Sequence, residues 1–241
     1  MRLRGSQGKP ATGKEWGWAR EETRLVDEYR PVAAVLPLLD WVLEWYLRGI
    51  RHDLVRLLAG RGVRTALDVG CGTGALARLL ADAGISTVCM DPSSTMLSLA
   101  GRRAGSPPRF RVLAGSAEQL PFGREFDAVV FSLVLHELDT EQRELAWREA
   151  HRVLQPGGVV VVVEFTRPGR GGLAARLGGT LIRFIERQAG RIHPPHYAGY
   201  RELMDAGGFA AWLRVRAAHV LEERRYFWGN IGLFAVAART E

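Results

Sequence analysis

The chain has 241 residues, a length typical of one large α/β domain, and 47% of them are hydrophobic, which excludes a disordered or fibrous protein. The net charge of +7 is compatible with a nucleic-acid or anionic membrane partner. The arginines, however, are spread over the predicted helices and form no dense basic block, so we expect no stable nucleic-acid complex. Cys71 and Cys89 have no metal-type spacing, and we expect unpaired packing residues in a reduced, cytoplasmic setting.

The N-terminal 62 residues are interpreted as a tail followed by helices. Residues 1–19 are rich in Gly, Lys and Arg without periodicity and predict a mobile basic tail, in which Trp16 and Trp18 pack on the first helix or cover a ligand. Helical spacing of apolar residues predicts helices over 21–30 and 38–59. The most apolar stretch contains Pro, Asp and Glu and is too polar to span a membrane.

Residues 64–74 predict a strand, a tight turn and the start of a helix. A short apolar run meets Gly70, Gly72 and Gly74 and is followed by an Ala/Leu-rich stretch. Glycines at such a turn permit positive φ and let a ligand approach the backbone. The turn lacks the G-x-G-x-x-G of dinucleotide sites and the Gly-Lys-Ser/Thr of phosphate loops. A carboxylate, Asp91, ends the next predicted strand about 20 residues later, where it can bind two ribose hydroxyls.

The remaining elements alternate between strands and helices. Helices are predicted at 75–83, 93–102, 140–153, 171–188, 197–205 and 209–217, and strands at 87–91, 110–114, 126–132, 159–165, 219–227 and 231–238. Such alternation predicts a parallel sheet with helices on both faces, and ligands of such sheets bind outside the carboxyl ends of the strands. The residues that follow strand ends should therefore converge on one crevice.

Five ordered motifs resemble the class I S-adenosylmethionine-dependent methyltransferases. They are Leu67-Asp68-Val69-Gly70-Cys71-Gly72-Thr73-Gly74, Met90-Asp91-Pro92-Ser93, Gly115-Ser116-Ala117-Glu118-Gln119-Leu120-Pro121-Phe122, Phe126-Asp127-Ala128-Val129 and Arg152-Val153-Leu154-Gln155-Pro156-Gly157-Gly158. The likeness extends over roughly residues 25 to 238. The third motif and the N-terminal helices are similar to those of quinone-ring C-methyltransferases and bacterial phosphatidylethanolamine N-methyltransferases.

The resemblance implies a Rossmann-like, doubly wound seven-stranded sheet whose last strand is antiparallel, in one domain over residues 20–241. Lid helices would occupy 20–62, a donor-binding core 63–165, a helical acceptor lid 166–208, and a closing helix and hairpin 209–241. The cofactor implied is S-adenosylmethionine, which leaves as S-adenosylhomocysteine. Its binding residues would be Tyr29 from the lid, Asp68, Gly70, Cys71, Gly72, Gly74, Asp91, Pro92, Met96, Ser116, Ala117, Glu118 and Ser132. Many relatives have Asp at the position of Ser116. Serine can also accept a hydrogen bond from adenine, but it is a weaker and neutral acceptor.

The acceptor end is less specified by the sequence. His136 follows the fourth predicted strand and could accept a proton from the acceptor, or only pack beneath the lid. His196 and Tyr197 lie in a His-Pro-Pro-His-Tyr stretch that we interpret as a rigid loop beside the acceptor. His193 and His196 could ligate a metal, but no third ligand is near in sequence, so no metal is expected. The amphipathic helix at 171–188 predicts an acceptor wall, a peripheral membrane contact or a core-packed helix, and its Gly178-Gly179 pair predicts a kink.

Three functions remain open from the sequence. A methyltransferase for a small, possibly apolar acceptor, such as a quinone or phospholipid, is favoured because no added RNA- or protein-binding domain is present. A protein or RNA methyltransferase would use the basic surface, and a donor-binding module would bind without turnover. The oligomeric state is not predicted.

Overall fold

The computed structural model describes residues 27, 29, 30, 36–106, 108–169, 172–192, 194–216 and 219–238. The predicted tail, including Trp16 and Trp18, and most of the predicted helix at 21–30 lie outside these residues, as does His193. At the described end of that segment, Tyr29 and Arg30 form a turn.

Seven helices and seven strands are found in the described residues. The helices are α1 (Leu36–Gly60), α2 (Ala75–Asp82), α3 (Ser94–Ala104), α4 (Thr140–Val153), α5 (Leu173–Ile192), α6 (Pro194–Asp205) and α7 (Phe209–Val215). The strands are β1 (Thr65–Val69), β2 (Ser86–Asp91), β3 (Arg111–Ala114), β4 (Phe126–Ser132), β5 (Leu154–Phe165), β6 (Val220–Tyr226) and β7 (Ile231–Ala237), and a 3₁₀ turn, Phe227–Gly229, precedes β7.

The strands form one sheet in the order β3-β2-β1-β4-β5-β7-β6. Strands β1 to β5 run parallel to one another, whereas β7 runs antiparallel to both β5 and β6. The predicted seven-stranded sheet with an antiparallel last strand is confirmed. The order reverses between β1 and β4, which places the ligand crevice of this fold class at their carboxyl ends.

Alternate residues of the central strands face two apolar layers. On β5, Val160 and Val162 pack with Trp147 of α4 and Trp212 of α7. Val161 and its alternate neighbours pack on the opposite layer, with residues of α1, α2 and α5. Burial on both faces explains why β4 and β5 read as nearly continuous apolar runs in the sequence.

The two cysteines are joined, which makes the prediction of unpaired cysteines wrong. Cys71 lies in the turn after β1, and Cys89 lies on β2, the strand next to β1. The turn folds back toward β2 and brings the two Cα atoms to 5.6 Å, within the range of a disulfide. The bond ties the glycine turn to β2.

Two predictions about the segment after β5 are also wrong. Helix α5 is a single helix through Gly178-Gly179, where the missing side chains admit Asn230: a Cβ on Gly179 would lie 2.8 Å from Asn230 Oδ1. Pro194 and Pro195 begin α6 rather than form a loop, because proline at the start of a helix loses no intrahelical hydrogen bond.

Candidate functional site

The three glycines of the first turn have different roles. All three have positive φ. A Cβ on Gly70 would lie 2.5 Å from Val134, and one on Gly74 would lie 3.0 Å from Phe110, so both glycines admit protein side chains. A Cβ on Gly72 would meet nothing within 4 Å. Gly72 is therefore the point of the turn where a ligand can approach the backbone.

The N–H groups of this turn are already used. Gly70 and Cys71 donate to the carbonyl of Met90 at 2.8 and 3.0 Å, and Gly72 donates to Asp91 Oδ2 at 2.8 Å. The turn thus offers space but few backbone donors, which is unsuited to the phosphate cradle of nucleotide-binding loops.

Asp68, on β1 just before the turn, is 1% exposed, and its Oδ2 has no hydrogen-bond partner within the described structure. Burial raises the pKa of Asp68 to about 7, with the charge of Asp91 adding to the shift and that of Arg51 opposing it. A buried acceptor without a partner is costly. The unpaired oxygen is thus suited to a ligand that brings a donor or a positive charge.

Asp91 ends β2 and holds the neighbouring backbone in place. Its Oδ2 accepts from Gly72 N, and its Oδ1 accepts from Ser93 N at 2.9 Å. Burial raises its pKa to about 6, and the charges of Glu137 and Asp27 contribute. Because a carboxylate has about four acceptor positions, Asp91 retains capacity for the hydroxyls of a ligand.

Asp27 is a site residue that the sequence analysis missed. Its carboxylate accepts from Ser93 Oγ at 2.8 Å, from Ser94 Oγ at 2.7 Å and from Thr95 N at 2.8 Å. Burial raises its pKa, but these hydrogen bonds outweigh burial and hold the pKa well below its usual value. Asp27 therefore caps the start of α3, beside Asp91. Tyr29, two residues later, is half-buried.

The other predicted donor residues follow the ends of β2, β3 and β4. Met96 is half-buried on α3, and its N–H donates to Ser93 Oγ at 3.1 Å, while Pro92 is exposed. Ala117 is buried beyond β3, between half-buried Ser116 and Glu118, and half-buried Ser132 ends β4. Since β3, β2, β1 and β4 are consecutive in the sheet, these residues share one edge.

A buried polar cluster lies beyond the ends of β4 and β5. His136 is 2% exposed, and its Nδ1 lies 2.9 Å from Oε1 of Glu164, which is fully buried on β5. Glu164 Oε2 also accepts from the backbone N–H of His136 at 3.1 Å. Burial opposes protonation of His136, but the charges of Glu164 and Glu186 raise its pKa above the ordinary value.

His196 joins this cluster from α6. Its Nε2 lies 2.6 Å from Glu186 Oε2 on α5, and its Nδ1 lies 3.4 Å from Glu137 Oε1. Burial lowers its pKa, but hydrogen bonds to Glu137 and Glu186 outweigh burial and raise it to about 10. The other predicted acceptor residue, Tyr197, is half-buried and stacks on Tyr200.

Glu164 and Glu186 were also missed. A single acid inside the apolar run of a central strand is a visible signal for Glu164, because such residues are rarely buried without a partner. Glu186 gave no such signal, since helix α5 is rich in charge. Glu186 lies near the two histidines because the side of α5 that carries it faces the core.

The apolar side chains of α5 face outward. Ala175, Ile182 and Glu186 are buried, whereas the helix exposes Leu173, Leu177, Leu181, Phe184 and Ile185 by 53 to 72%. The core-packed alternative for this amphipathic face is wrong. No helix in the described residues combines the length and apolarity needed to cross a bilayer.

Comparison with known proteins identifies the class. The sequence profile of the methyltransferase domain matches residues 67–162, which contain Asp68, Gly72, Asp91 and His136. This match, together with the 34% identity to the first relative below over two thirds of both chains, shows that the chain belongs to the S-adenosylmethionine-dependent methyltransferases.

Particular relatives narrow the likeness. A demethylmenaquinone methyltransferase of Renibacterium salmoninarum is 34% identical over 168 residues, which cover 67% of this chain and 68% of that protein. A ubiquinone/menaquinone biosynthesis C-methyltransferase of Rubrivivax gelatinosus is 30% identical over 149 residues, 61% of this chain and 58% of that one.

Solved structures share the fold. An O-methyltransferase of neocarzinostatin biosynthesis, solved with S-adenosyl-L-homocysteine and 1,4-dihydroxy-2-naphthoic acid, has a TM-score of 0.62 at 21% identity and covers 88% of this chain and 60% of its own. The N-methyltransferase NodS of Bradyrhizobium japonicum, solved with S-adenosyl-L-homocysteine, has a TM-score of 0.54 at 18% identity, covering 80% of this chain and 87% of its own.

Proposed function

We propose that this methyltransferase transfers the methyl group of S-adenosylmethionine to a small apolar acceptor with a quinone-type ring. The observation that carries the acceptor class is the 34% identity to a demethylmenaquinone methyltransferase over two thirds of both chains. The buried polar cluster around His136 also supports this acceptor class, because it can accept a proton from a phenolic ring.

The donor crevice fits a cationic ligand rich in hydroxyls. Asp68 and Asp91 bring two carboxylates to the turn, one with an unpaired buried oxygen, and Gly72 leaves open space beside them. In this proposal Asp68 orients the methionine end of the donor, and Asp91 binds the ribose hydroxyls through charge-assisted hydrogen bonds.

The rest of the donor would be enclosed by neighbouring residues. Ser116, Ala117 and Glu118 would contact adenine, while Pro92 and Met96 would border the ribose. Ser132 and the Gly70–Gly74 turn would line the methionine end, and Tyr29 would close the crevice from the N-terminal side. The attachment of Asp27 to α3 supports a lid at this place.

The bound donor supplies an electrophilic sulfonium methyl group, so the protein mainly binds, orients and excludes water. When a carbon of a phenolic ring is methylated, removal of the hydroxyl proton activates the ring, the C–CH3 bond forms as the S–CH3 bond breaks, and the ring C–H proton then leaves, so one proton is lost overall. The cluster around His136 suits removal of the hydroxyl proton, because Glu164 positions the ring and Glu137 and Glu186 stabilise positive charge. We assign proton acceptance to His136, because the pKa of His196 is raised to about 10 and that ring already carries its proton near neutral pH.

The exposed apolar face of α5 is proposed as a peripheral contact with an anionic lipid surface that holds the acceptor. Arg176, Arg183 and Arg187 are exposed on the same helix, and such a mixture favours the headgroup boundary. Sedimentation with anionic vesicles should decrease for Leu177→Glu and stay unchanged for Leu221→Glu, which alters an exposed leucine on β6. Equal loss in both variants, or none, would contradict the contact.

A cytoplasmic location stays a prediction. The disulfide removes the argument from unpaired cysteines that favoured it.

Methyl transfer is tested with methyl-labelled donor and three acceptors offered separately: a ring-demethylated naphthoquinol with a short isoprenoid chain, phosphatidylethanolamine vesicles, and total RNA and protein. We expect label in the quinol fraction. Label in phospholipid alone would replace the acceptor class, and label in RNA or protein would overturn the small-molecule assignment. Tight binding of S-adenosylhomocysteine with no transfer to any acceptor would instead support a donor-binding module.

A further inference from the structure

The two histidines of the acceptor-end cluster share an arrangement typical of metal ligands. In each, one ring nitrogen is held by a buried carboxylate: Nδ1 of His136 by Glu164 at 2.9 Å, and Nε2 of His196 by Glu186 at 2.6 Å. Metal-binding histidines usually donate their second N–H to a carboxylate in this way, which fixes the tautomer and the ring orientation. Nε2 of His136, 3.6 Å from Glu186 Oε2, and Nδ1 of His196, 3.4 Å from Glu137 Oε1, are then the nitrogens at which an ion would take the place of a proton.

A third ligand stands next to these nitrogens. Oε1 of Glu137 lies 3.4 Å from Nδ1 of His196, and one ligand atom from each of His136, Glu137 and His196 can be chosen so that all lie within 4.8 Å of one another. Bonds of about 2.0 to 2.1 Å in a tetrahedron separate two ligand atoms by about 3.4 Å. The three groups are therefore close to the spacing that one ion requires.

We propose that His136, Glu137 and His196 bind one divalent transition-metal ion, with Zn²⁺ as the fitting probe. Two imidazoles and one carboxylate are ligands that Zn²⁺ accepts in catalytic sites, where a fourth position stays open. The histidine side chains are 3% and 11% exposed and Glu137 is 33% exposed, so the set is closed behind the imidazoles and open on the side of Glu137.

The charge balance favours a cation at this position. Three carboxylates, on Glu137, Glu164 and Glu186, surround two imidazoles in a largely buried volume. Carboxylates out of water require compensating charge, which protonation of the imidazoles supplies in the ligand-free protein and which a divalent ion would supply in place of their protons. The sequence analysis sought a third ligand close to His193 and His196 and overlooked His136 and Glu137, about 60 residues earlier.

The position of the ion gives it a part in the reaction. His136 and Glu137 follow the carboxyl end of β4, which is next to β1 in the sheet, so the proposed ligands lie at the same edge of the sheet as the donor crevice. There the ion would bind an oxygen of the acceptor and favour its deprotonated form, which would replace proton acceptance by His136 because Nε2 of that ring would then be a ligand. This part rests on the proposed function, whereas binding of the ion does not.

The first measurement is a calorimetric titration of the chelator-treated, full-length protein with ZnCl₂ and no donor. Reductant is omitted so that Cys71 and Cys89 stay bonded and offer no thiolate. We expect saturable binding of one ion per chain. Co²⁺ in place of Zn²⁺ should give the strong visible absorption of a tetrahedral site without a thiolate band. Absence of saturable binding by the wild-type protein would overturn the proposal without any variant.

Variants then locate the site. His136→Gln and His196→Gln should each weaken Zn²⁺ binding at least about 100-fold, and Glu164→Gln, which removes the carboxylate charge behind His136, about 10- to 100-fold. His52→Gln, at an exposed histidine of α1, should leave affinity unchanged. S-adenosylhomocysteine binding reports folding of each variant and separates a failed metal site from a failed donor site. Unchanged Zn²⁺ affinity in both ligand variants, or equal loss in His52→Gln, would refute the assignment.

Discussion

Asp68→Asn should stabilise the ligand-free protein at neutral and alkaline pH while weakening donor binding. The carboxyl is 1% exposed and has an unpaired oxygen, and burial raises its pKa from 3.8 to about 7. Asparagine removes the buried charge. Its side-chain oxygen can still accept the hydrogen bond that the backbone N–H of Ala77 donates to Asp68. The difference in unfolding free energy between the variant and the wild type therefore measures the cost of burying this charge in the ligand-free protein.

The size of the effect follows from proton linkage. Between pH 3.8 and about 7 the folded state binds a proton at Asp68 that the unfolded state has lost, so stability falls as pH rises through this window. The slope is about 1.4 kcal/mol per pH unit and ends above pH 7. The advantage of Asp68→Asn over the wild type should therefore grow by about 2 to 3 kcal/mol between pH 5 and pH 8.

Urea unfolding of both proteins at unit pH intervals from 5 to 8 measures this difference, because the other titrating groups are common to both. Calorimetry with S-adenosylhomocysteine at pH 7.5 should show affinity reduced about 10- to 100-fold, the value of one charge-assisted hydrogen bond. A stability difference that does not change with pH would refute the buried-charge reasoning. Unchanged affinity would mean that Asp68 does not contact the donor.

Three further predictions test other contacts. Gly70→Ala, whose Cβ would lie 2.5 Å from Val134, should lower the free energy of urea unfolding by about 2 to 4 kcal/mol. Gly72→Ala should lower it by only the backbone strain of about 1 to 2 kcal/mol. Equal losses would contradict the different roles of these glycines. Asp91→Asn should weaken S-adenosylhomocysteine binding about 10- to 100-fold in calorimetry with the fold intact by circular dichroism, and full affinity would remove Asp91 from the donor site. Reduction should lower the free energy of urea unfolding of the wild type by about 3 kcal/mol, since the Cys71–Cys89 bond closes a loop of 18 residues. Reduction should not change the stability of Cys71→Ser, which lacks the bond. An equal response of both proteins would argue against the bond.

Most of the secondary structure was predictable because it depends on short-range periodicity. The strand at 126–132 and the helix at 140–153 have the predicted bounds, and the spacing of apolar residues in α1 predicted it to within two residues at its start and one at its end. The helix signal of 171–188 was right as well, but the orientation of α5 was not in the pattern. An apolar stripe shows that a helix has two faces without showing which face meets the core.

The sequence by itself determined the order of strands and helices, the glycine turn, and the acids that end β1 and β2, because each is encoded within a few neighbouring residues. The tertiary structure alone decided that Val134 occupies the space beside Gly70, that Cys71 meets Cys89, and that Glu164 and Glu186 close around the two histidines. These contacts join residues from separate elements, and their distances depend on how helices pack across the sheet. Local sequence patterns carry no record of that packing.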